Sequence, residues 1–319
     1  MKKSILFICC TLLISINVNA QKGTPSLKIF SNFNYDISAE ENENAFKEFE
    51  LKRAYLGYSY TIDERFSTKI IYDVGSNSSG SSYTAFLKIA SLKWKATDNL
   101  SINAGMVGTK NHKFMEKAWG RRYIDKSAQD KYGWANSADL GVTADYKISD
   151  NIILDAQILN GEGYKNVQSQ NGLFRGGIGL TYSLGDNLKC RLHQDMIPRS
   201  SYDDMSVTQT ISTAAIAYST EYLTIGAEGD MMKNANNVKD TEQNLLSIYG
   251  SYNISDDYTI FARYDDASET DQEGSYTIYG IERQMAKGVT VAINMQSWTD
   301  AAEGSEAEST LFLNLEYKF

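Results

Sequence analysis

Apolar and polar residues alternate along most of this chain, with a period of two. Ala138, Leu140, Val142, Ala144, Tyr146 and Ile148 fall on one face, opposite Asp139, Thr143, Asp145 and Lys147. Phe174, Ile178, Leu180, Tyr182 and Leu184 oppose Arg175, Thr181 and Ser183 in the same way. Leu188, Cys190, Leu192 and Met196 stand against Lys189, Arg191, His193 and Asp195, and Val289, Val291, Ile293 and Met295 against Thr290, Asn294 and Gln296. Side chains of an extended strand point alternately to its two sides, so each run predicts a β-strand with one apolar and one polar face. No helical period of comparable length competes. Two stretches resist assignment. Glu48, Glu50 and Lys52 share the parity of Ala54, Leu56 and Tyr58, and the pattern is ambiguous around Lys88.

Short turn signals punctuate the strands: "TIDER" (61–65), "TDN" (97–99), "SDN" (149–151), "GDN" (185–187), "STE" (219–221), "SDD" (255–257) and "AKG" (286–288). Asp and Asn favour such turns by bonding their own backbone. Counting gives about sixteen strands, with seven short turns at one end and eight longer polar loops at the other. The expected fold class is all-β, a transmembrane antiparallel up-and-down barrel. A two-sheet sandwich also alternates, but it has no reason to sort its loops short, long, short, long. Outward aromatics cluster beside the short turns (Tyr58, Phe66, Trp94, Tyr146, Tyr182, Tyr218, Tyr252, Tyr258, Tyr317), where an interfacial girdle sits in a membrane barrel. A charge facing lipid at mid-depth costs about 2–4 kcal/mol, so the charged faces must turn inward to a wet lumen. About sixteen strands leave a channel rather than a filled core.

Composition agrees, once its average is read correctly. Mean hydropathy is −0.39 and no apolar run in the mature part is long enough for a spanning helix, yet barrel strands need only alternate residues to be apolar. Twenty-one Tyr and only two Pro favour strands. Lys2 and Lys3, the apolar run Ile5–Ile14 and Ala20 describe an export signal over residues 1–20, leaving residues 21–319 as one barrel domain in the bacterial outer membrane. Its removal takes the net charge from −9 to −11 and leaves Cys190 as the one cysteine. An acidic exported chain of this kind is a poor nucleic-acid binder. No disulfide framework is available within it.

The longest interval, Thr109–Ser137, holds the chemistry. Within its Lys110–Lys126 part, Lys110, Lys113, Lys117, Arg121, Arg122 and Lys126 outnumber Glu116 and Asp125, against the acidic balance of the whole. Folded into the lumen, this third long loop would narrow the pore and concentrate anions, and Trp119, Tyr123, Tyr132 and Trp134 point to packing against a wall. The lumen wall adds Arg53, Lys69, Arg175, Lys189, Arg191 and Arg263, with Asp73, Asp139, Asp145, Asp155, Asp195, Glu228, Asp230 and Asp265 as inward acids. Across neighbouring strands such charges more often pair with each other than form a selectivity ladder. Catalysis finds little support. His193 lies beside Asp195 with no serine placed by any motif, and two histidines with one cysteine make no metal cluster. "RGGIG" (175–179) sits inside an alternating strand and lacks the Lys-Ser/Thr ending of a phosphate loop. No cofactor is expected.

"FELKRAYLGYSYTIDERFSTKIIYDV" (49–74) and "WGRRYIDKSAQDKYGWANSADLGV" (119–142) resemble the porin family typified by the phosphate-selective porins O and P, in the form common in Bacteroidetes. The resemblance implies a sixteen-stranded, trimeric porin with its third loop turned inward, and Lys110, Lys113, Lys117, Arg121 and Arg122 as basic loop residues guiding anions. The many inward acids depart from the phosphate-selective members. The expected function is a passive diffusion channel for small hydrophilic anionic or neutral solutes. The competing reading is an adhesin or receptor acting through its acidic outer loops, which also face lipopolysaccharide. At the end of the chain, Leu311, Leu313, Leu315, Tyr317 and Phe319 form an outward stripe for the strand that closes the barrel. Leu313, Leu315, Tyr317 and Phe319 also resemble the signal by which the outer-membrane assembly machinery recognises barrels.

Overall fold

A computed structural model describes residues 23–39, 45–75, 83–168, 172–198 and 207–319. The expected export signal, residues 1–20, lies outside them, as does much of the acidic loop stretch 38–45 and of the polar stretch 75–82. Sixteen strands follow one another along the chain. The first eight are β1 (Gly23–Asp36), β2 (Lys47–Thr61), β3 (Phe66–Gly75), β4 (Thr84–Lys95), β5 (Leu100–Gly108), β6 (Ala138–Lys147), β7 (Ile152–Leu159) and β8 (Arg175–Leu184). The second eight are β9 (Leu188–Ile197), β10 (Gln209–Ser219), β11 (Leu223–Lys233), β12 (Glu242–Asn253), β13 (Tyr258–Glu269), β14 (Gly274–Ala286), β15 (Val289–Asp300) and β16 (Glu308–Lys318). Two helices, α1 (Lys110–Trp119) and α2 (Ala128–Lys131), lie between β5 and β6.

Each strand pairs antiparallel with its chain neighbour, and β16 pairs with β1, so the sheet closes with no open edge. Closure extends to the last residue. The backbone N–H of Leu27 donates to Phe319 O at 3.2 Å, and that of Phe319 to Leu27 O at 3.1 Å. The stripe Leu311, Leu313, Leu315, Tyr317 is exposed on the outer face, with Asn314 and Glu316 buried between its members. The same division holds around the wall. Leu56, Tyr58, Ile70, Leu92, Tyr146, Leu180, Ile216, Ile248, Ile260 and Ile293 are exposed, while Asp73, Ser91, Thr143, Arg191, Ser247, Arg263 and Asn294 on the other face are buried. Of the nine aromatics expected in a girdle, eight are exposed. The ninth, Phe66, is half-buried because it stacks on Trp94 across β3 and β4, with ring centroids 6.3 Å apart.

The two stretches that defeated the alternation have one cause. Between β1 and β2 the register shifts at Phe30/Ser31, so that Arg53 and Leu51 oppose successive residues and Lys52 is an extra, bulged residue. Between β3 and β4 the shift at Ile71/Tyr72 leaves Lys88 as the extra residue. A bulge reverses the parity of everything beyond it. Glu48 and Glu50 therefore point the same way as Arg53 and Tyr55, not with Leu56 and Tyr58. One expectation needs correcting. Loop length does not alternate strictly, since β13 and β14 are joined by Thr270–Glu273, four residues, as short as the turn of residues 62–65. Glu273 takes a left-handed conformation (φ 49°) in this turn and its N–H donates to Thr270 O.

Candidate functional site

The segment between β5 and β6 begins with a helix that the period-two pattern gives no sign of. Thr109 precedes it in extended conformation and donates its hydroxyl to Asn136 O, tying the two ends of the segment together. The first helical N–H, of Lys110, is received by Gln157 Oε1 on β7 at 2.9 Å. Gly120 ends the helix at φ 72°, a left-handed value that suits a residue without Cβ, and its N–H donates to Glu116 O. Asn111, Met115 and Trp119 recur at four-residue spacing and form the buried face. Lys113 and Lys117, also four apart, line a cavity on the other side of the helix.

The buried face is bound to strands β9 to β16 by specific contacts. Asn111 Nδ2 donates to Thr213 Oγ1 on β10 (2.9 Å), and Arg191 Nε on β9 donates to Asn111 Oδ1 (3.1 Å). Gln129 of α2 donates to Thr213 and to Asp230 on β11. Tyr132 donates to Asp265 on β13, and Arg263 on β13 donates to Lys126 O. Tyr276 on β14 donates to Asp125, and Tyr123 donates to Glu282 on β14 (2.7 Å). Asn314 on β16 donates to Tyr123 O. Apolar contacts fill the spaces between. Trp119, Tyr123 and Ile124 pack with Phe30, Tyr249, Phe261, Tyr276 and Ile278, and Ala128 and Trp134 with Ile211, Met232 and Leu245. Trp119, Tyr123, Tyr132 and Trp134 thus pack or bond, as the run of aromatics predicts.

Most of the basic residues picked out in the sequence are neutralised. In the segment, Arg121 pairs with Glu282 (2.8 Å), Arg122 with Asp130 (3.0 Å) and Glu116 (3.6 Å), and Lys110 with Asp145. On the wall, Arg53 meets Asp73 (3.6 Å), Arg175 meets Asp195, Arg191 grips Asp155 through two nitrogens (2.6 and 3.0 Å), and Arg263 grips Asp265 likewise (2.7 and 2.6 Å). His193 lies between Arg191 (3.1 Å) and Asp195 (3.3 Å). Among the described residues no serine hydroxyl bonds it. The glycines of "RGGIG" make room for this network, because a Cβ on Gly179 would come within 2.8 Å of Arg191, Asp155 and His193.

By contrast, Lys69, Lys113, Lys117, Lys126 and Lys189 have no carboxylate within 4.0 Å among the described residues, and neither do Lys28, Lys88 and Lys93, which the sequence reading passed over. Six of these eight (Lys28, Lys69, Lys88, Lys93, Lys113, Lys117) line one cavity of about 820 Å³ between α1 and the wall formed by β1 to β6. The signal missed was the bulge at Lys88 and the position of Lys93 close to a turn.

A second long connection, between β7 and β8, also reaches this side. Tyr164 donates to Asp73 on β3, and its ring packs edge-on against Phe86 of β4. Lys88 lies 5.0 Å from the centre of the Tyr55 ring and 5.2 Å from that of Tyr164. Burial and the negative charge of Asp73 push the Tyr164 hydroxyl far above the usual tyrosine range, so it stays protonated and donating. Within the β5–β6 segment, burial raises the Asp125 carboxyl, but Lys131, Lys52 and Arg263 outweigh it and hold the group well below the usual range. Glu116 shows the same contest: burial opposes its charge, while His112, Arg122 and Lys88 bring it down to about 2.

No family profile matches the sequence, and no characterised protein matches it as a relative. The fold does have solved counterparts. OmpF of Salmonella typhi, in complex with daunomycin, superposes with a TM-score of 0.70 at 12% identity, over 94% of this chain and 98% of the other. The outer-membrane channel DcaP of Acinetobacter baumannii gives 0.71 at 11% identity, over 93% and 97%. An anion-selective porin from Comamonas acidovorans gives 0.70 at 9% identity, over 93% and 99%. At these identities the likeness is one of fold, the sixteen-stranded fold of outer-membrane porins.

Proposed function

We propose that this chain is an outer-membrane porin, a passive channel for small hydrophilic solutes with a preference for anions. The observation that carries it is the distribution of charge inside the closed barrel. Asp73, Asp145, Asp155, Asp195, Asp265 and Glu282 on the wall are paired with arginines or lysines, whereas six of the eight lysines without a carboxylate partner among the described residues gather on one open side. A low-dielectric wall focuses their field and raises the local concentration of anions. The segment Thr109–Ser137 is the constriction in this reading. It is pinned to β9–β16 by the hydrogen bonds above, and it leaves its lysine-bearing face toward the cavity. Lys113, Lys117 and Lys69 then guide anions, with Lys110, Arg121 and Arg122 holding the segment in place. The apolar outer belt and the aromatic ring beside the short turns fit a bilayer, with the short turns at the periplasmic rim and the export signal supplying the route. A homotrimer follows from the family resemblance. No catalytic group is implied, since His193 is held between Arg191 and Asp195.

Liposome swelling tests the channel itself. Vesicles carrying the refolded protein should swell in isosmotic arabinose, and faster in small organic anions of equal size. Vesicles that stay impermeable to both would remove the porin reading and favour a barrel that serves as an adhesin or receptor.

A further inference from the structure

Three lysines on three different elements line the cavity: Lys28 of β1, Lys69 of β3 and Lys113 of α1. The carboxylates of the same lining are taken by other groups, Glu116 by His112 and Arg122, Asp145 by Lys110 and Glu316 by Lys318. Lys69 feels the like charges of both others. Lys93 and Lys117 extend the set along the same cavity, and none of the five has a carboxylate within 4.0 Å among the described residues. Elsewhere inside this barrel the arginines are matched by an acid. Uncompensated like charges repel, and the arrangement becomes favourable only when an anion joins them.

The residue type and the spacing limit which anion. An arginine fork matches the planar, two-oxygen edge of a single phosphate or carboxylate, while a lysine ammonium is a point charge on a flexible stem. Here the unpaired cations are lysines, placed around the cavity rather than converging as forks on one point. The volume, about 820 Å³, is several times what a compact oxyanion fills. Between the lysines the lining is rich in neutral hydroxyl groups, including Ser67, Ser101 and Thr143. Hydroxyls there can exchange hydrogen bonds with a polyhydroxylated solute as it sheds water. The cavity lies toward the short-turn rim, next to Thr61, Lys93 and Lys318.

Resting on the channel reading given above, we infer that this cavity is a binding station for extended, hydroxyl-bearing organic polyanions, with separate charges taken by Lys28, Lys69 and Lys113, and that a compact oxyanion such as inorganic phosphate is a poor ligand for it.

Citrate, which has three carboxylates and a hydroxyl, is the probe, with inorganic phosphate and acetate at matched ionic strength for comparison. Two measurements apply: block of single-channel current in a planar bilayer, and calorimetric titration of the purified protein in detergent. Citrate should block and bind at least tenfold more tightly than phosphate, with acetate weakest. Lys28→Gln/Lys69→Gln/Lys113→Gln should weaken citrate at least tenfold, and Lys113→Gln alone by a smaller factor, while Lys239→Gln on an outer loop leaves it unchanged. Equal weak binding of all three anions, or citrate binding that survives the triple substitution, would overturn the assignment. A protein that conducts but binds citrate no better than phosphate loses this station and keeps its channel. One that never conducts loses the channel reading, and calorimetry still decides the station.

Discussion

Gly179 illustrates how a single position is set by its surroundings. Its missing Cβ leaves space for the Asp155–Arg191–His193 contacts, and a methyl there would sit 2.6 Å from the Arg191 guanidinium. Overpacking of this kind costs about 1–3 kcal/mol. Gly179→Ala should therefore lower the urea midpoint of the refolded barrel by a corresponding amount, and an unchanged midpoint would deny the network its tight fit. Glu116 gives a prediction in pH. Its folded value is about 2 against an ordinary 4.5, so its contribution to stability is whole above pH 4.5 and is lost as pH falls toward 2. Tryptophan fluorescence, reporting Trp119 at the end of the same helix, should hold steady from neutral pH down to about 4.5 and then change toward pH 2. In Glu116→Gln that acid-dependent change should shrink. At this scale the sequence identified which residues are charged and inward, but not which are neutralised. Arg121 and Lys113 look alike in a string of letters. Only the three-dimensional placement of Glu282 separates the bound cation from the free one.

Among the elements, the strands were legible and the helix was not. A period of two needs no partner to be seen, whereas the Asn111–Met115–Trp119 face is a helical period of only three positions, cut off by Gly120. The bulges at Lys52 and Lys88 hid two strands for a related reason: one inserted residue inverts a parity that is otherwise read without difficulty. Both bulged lysines turn up near the segment between β5 and β6, Lys52 donating to Ile124 O at 3.1 Å. The attachment of that segment to the wall is testable. Arg263 is buried, grips Asp265 and donates to Lys126 O, so Arg263→Ala leaves an unpaired buried carboxylate and should cost about 3–5 kcal/mol. With that anchor gone, trypsin should cut the folded barrel at Arg121 or Arg122. The wild-type protein should resist, and equal protection of both proteins would show that Arg263 does not hold the segment.

For the whole molecule, strand number, antiparallel order and the pairing of last strand with first could all be read from turn spacing and from the terminal stripe. The expected strict alternation of loop lengths failed at Thr270–Glu273, because a four-residue turn with one left-handed residue can join two strands at either rim. Phe319 is bonded through its backbone to Leu27, so removing it opens part of the seam between β1 and β16. Its deletion should reduce the fraction of heat-modifiable, folded barrel on a gel, while the molecules that do insert keep their unit conductance. Normal folded yield would count against a role in closure or assembly. The central claim is that an open barrel draws anions by the unpaired lysines of one wall, and the zero-current potential across a bilayer in a KCl gradient tests it most directly. The wild-type potential should carry the sign of chloride preference, and Lys69→Glu/Lys113→Glu should move it toward potassium. A wild-type potential with the sign of potassium preference, or the same potential in both proteins, would contradict the account.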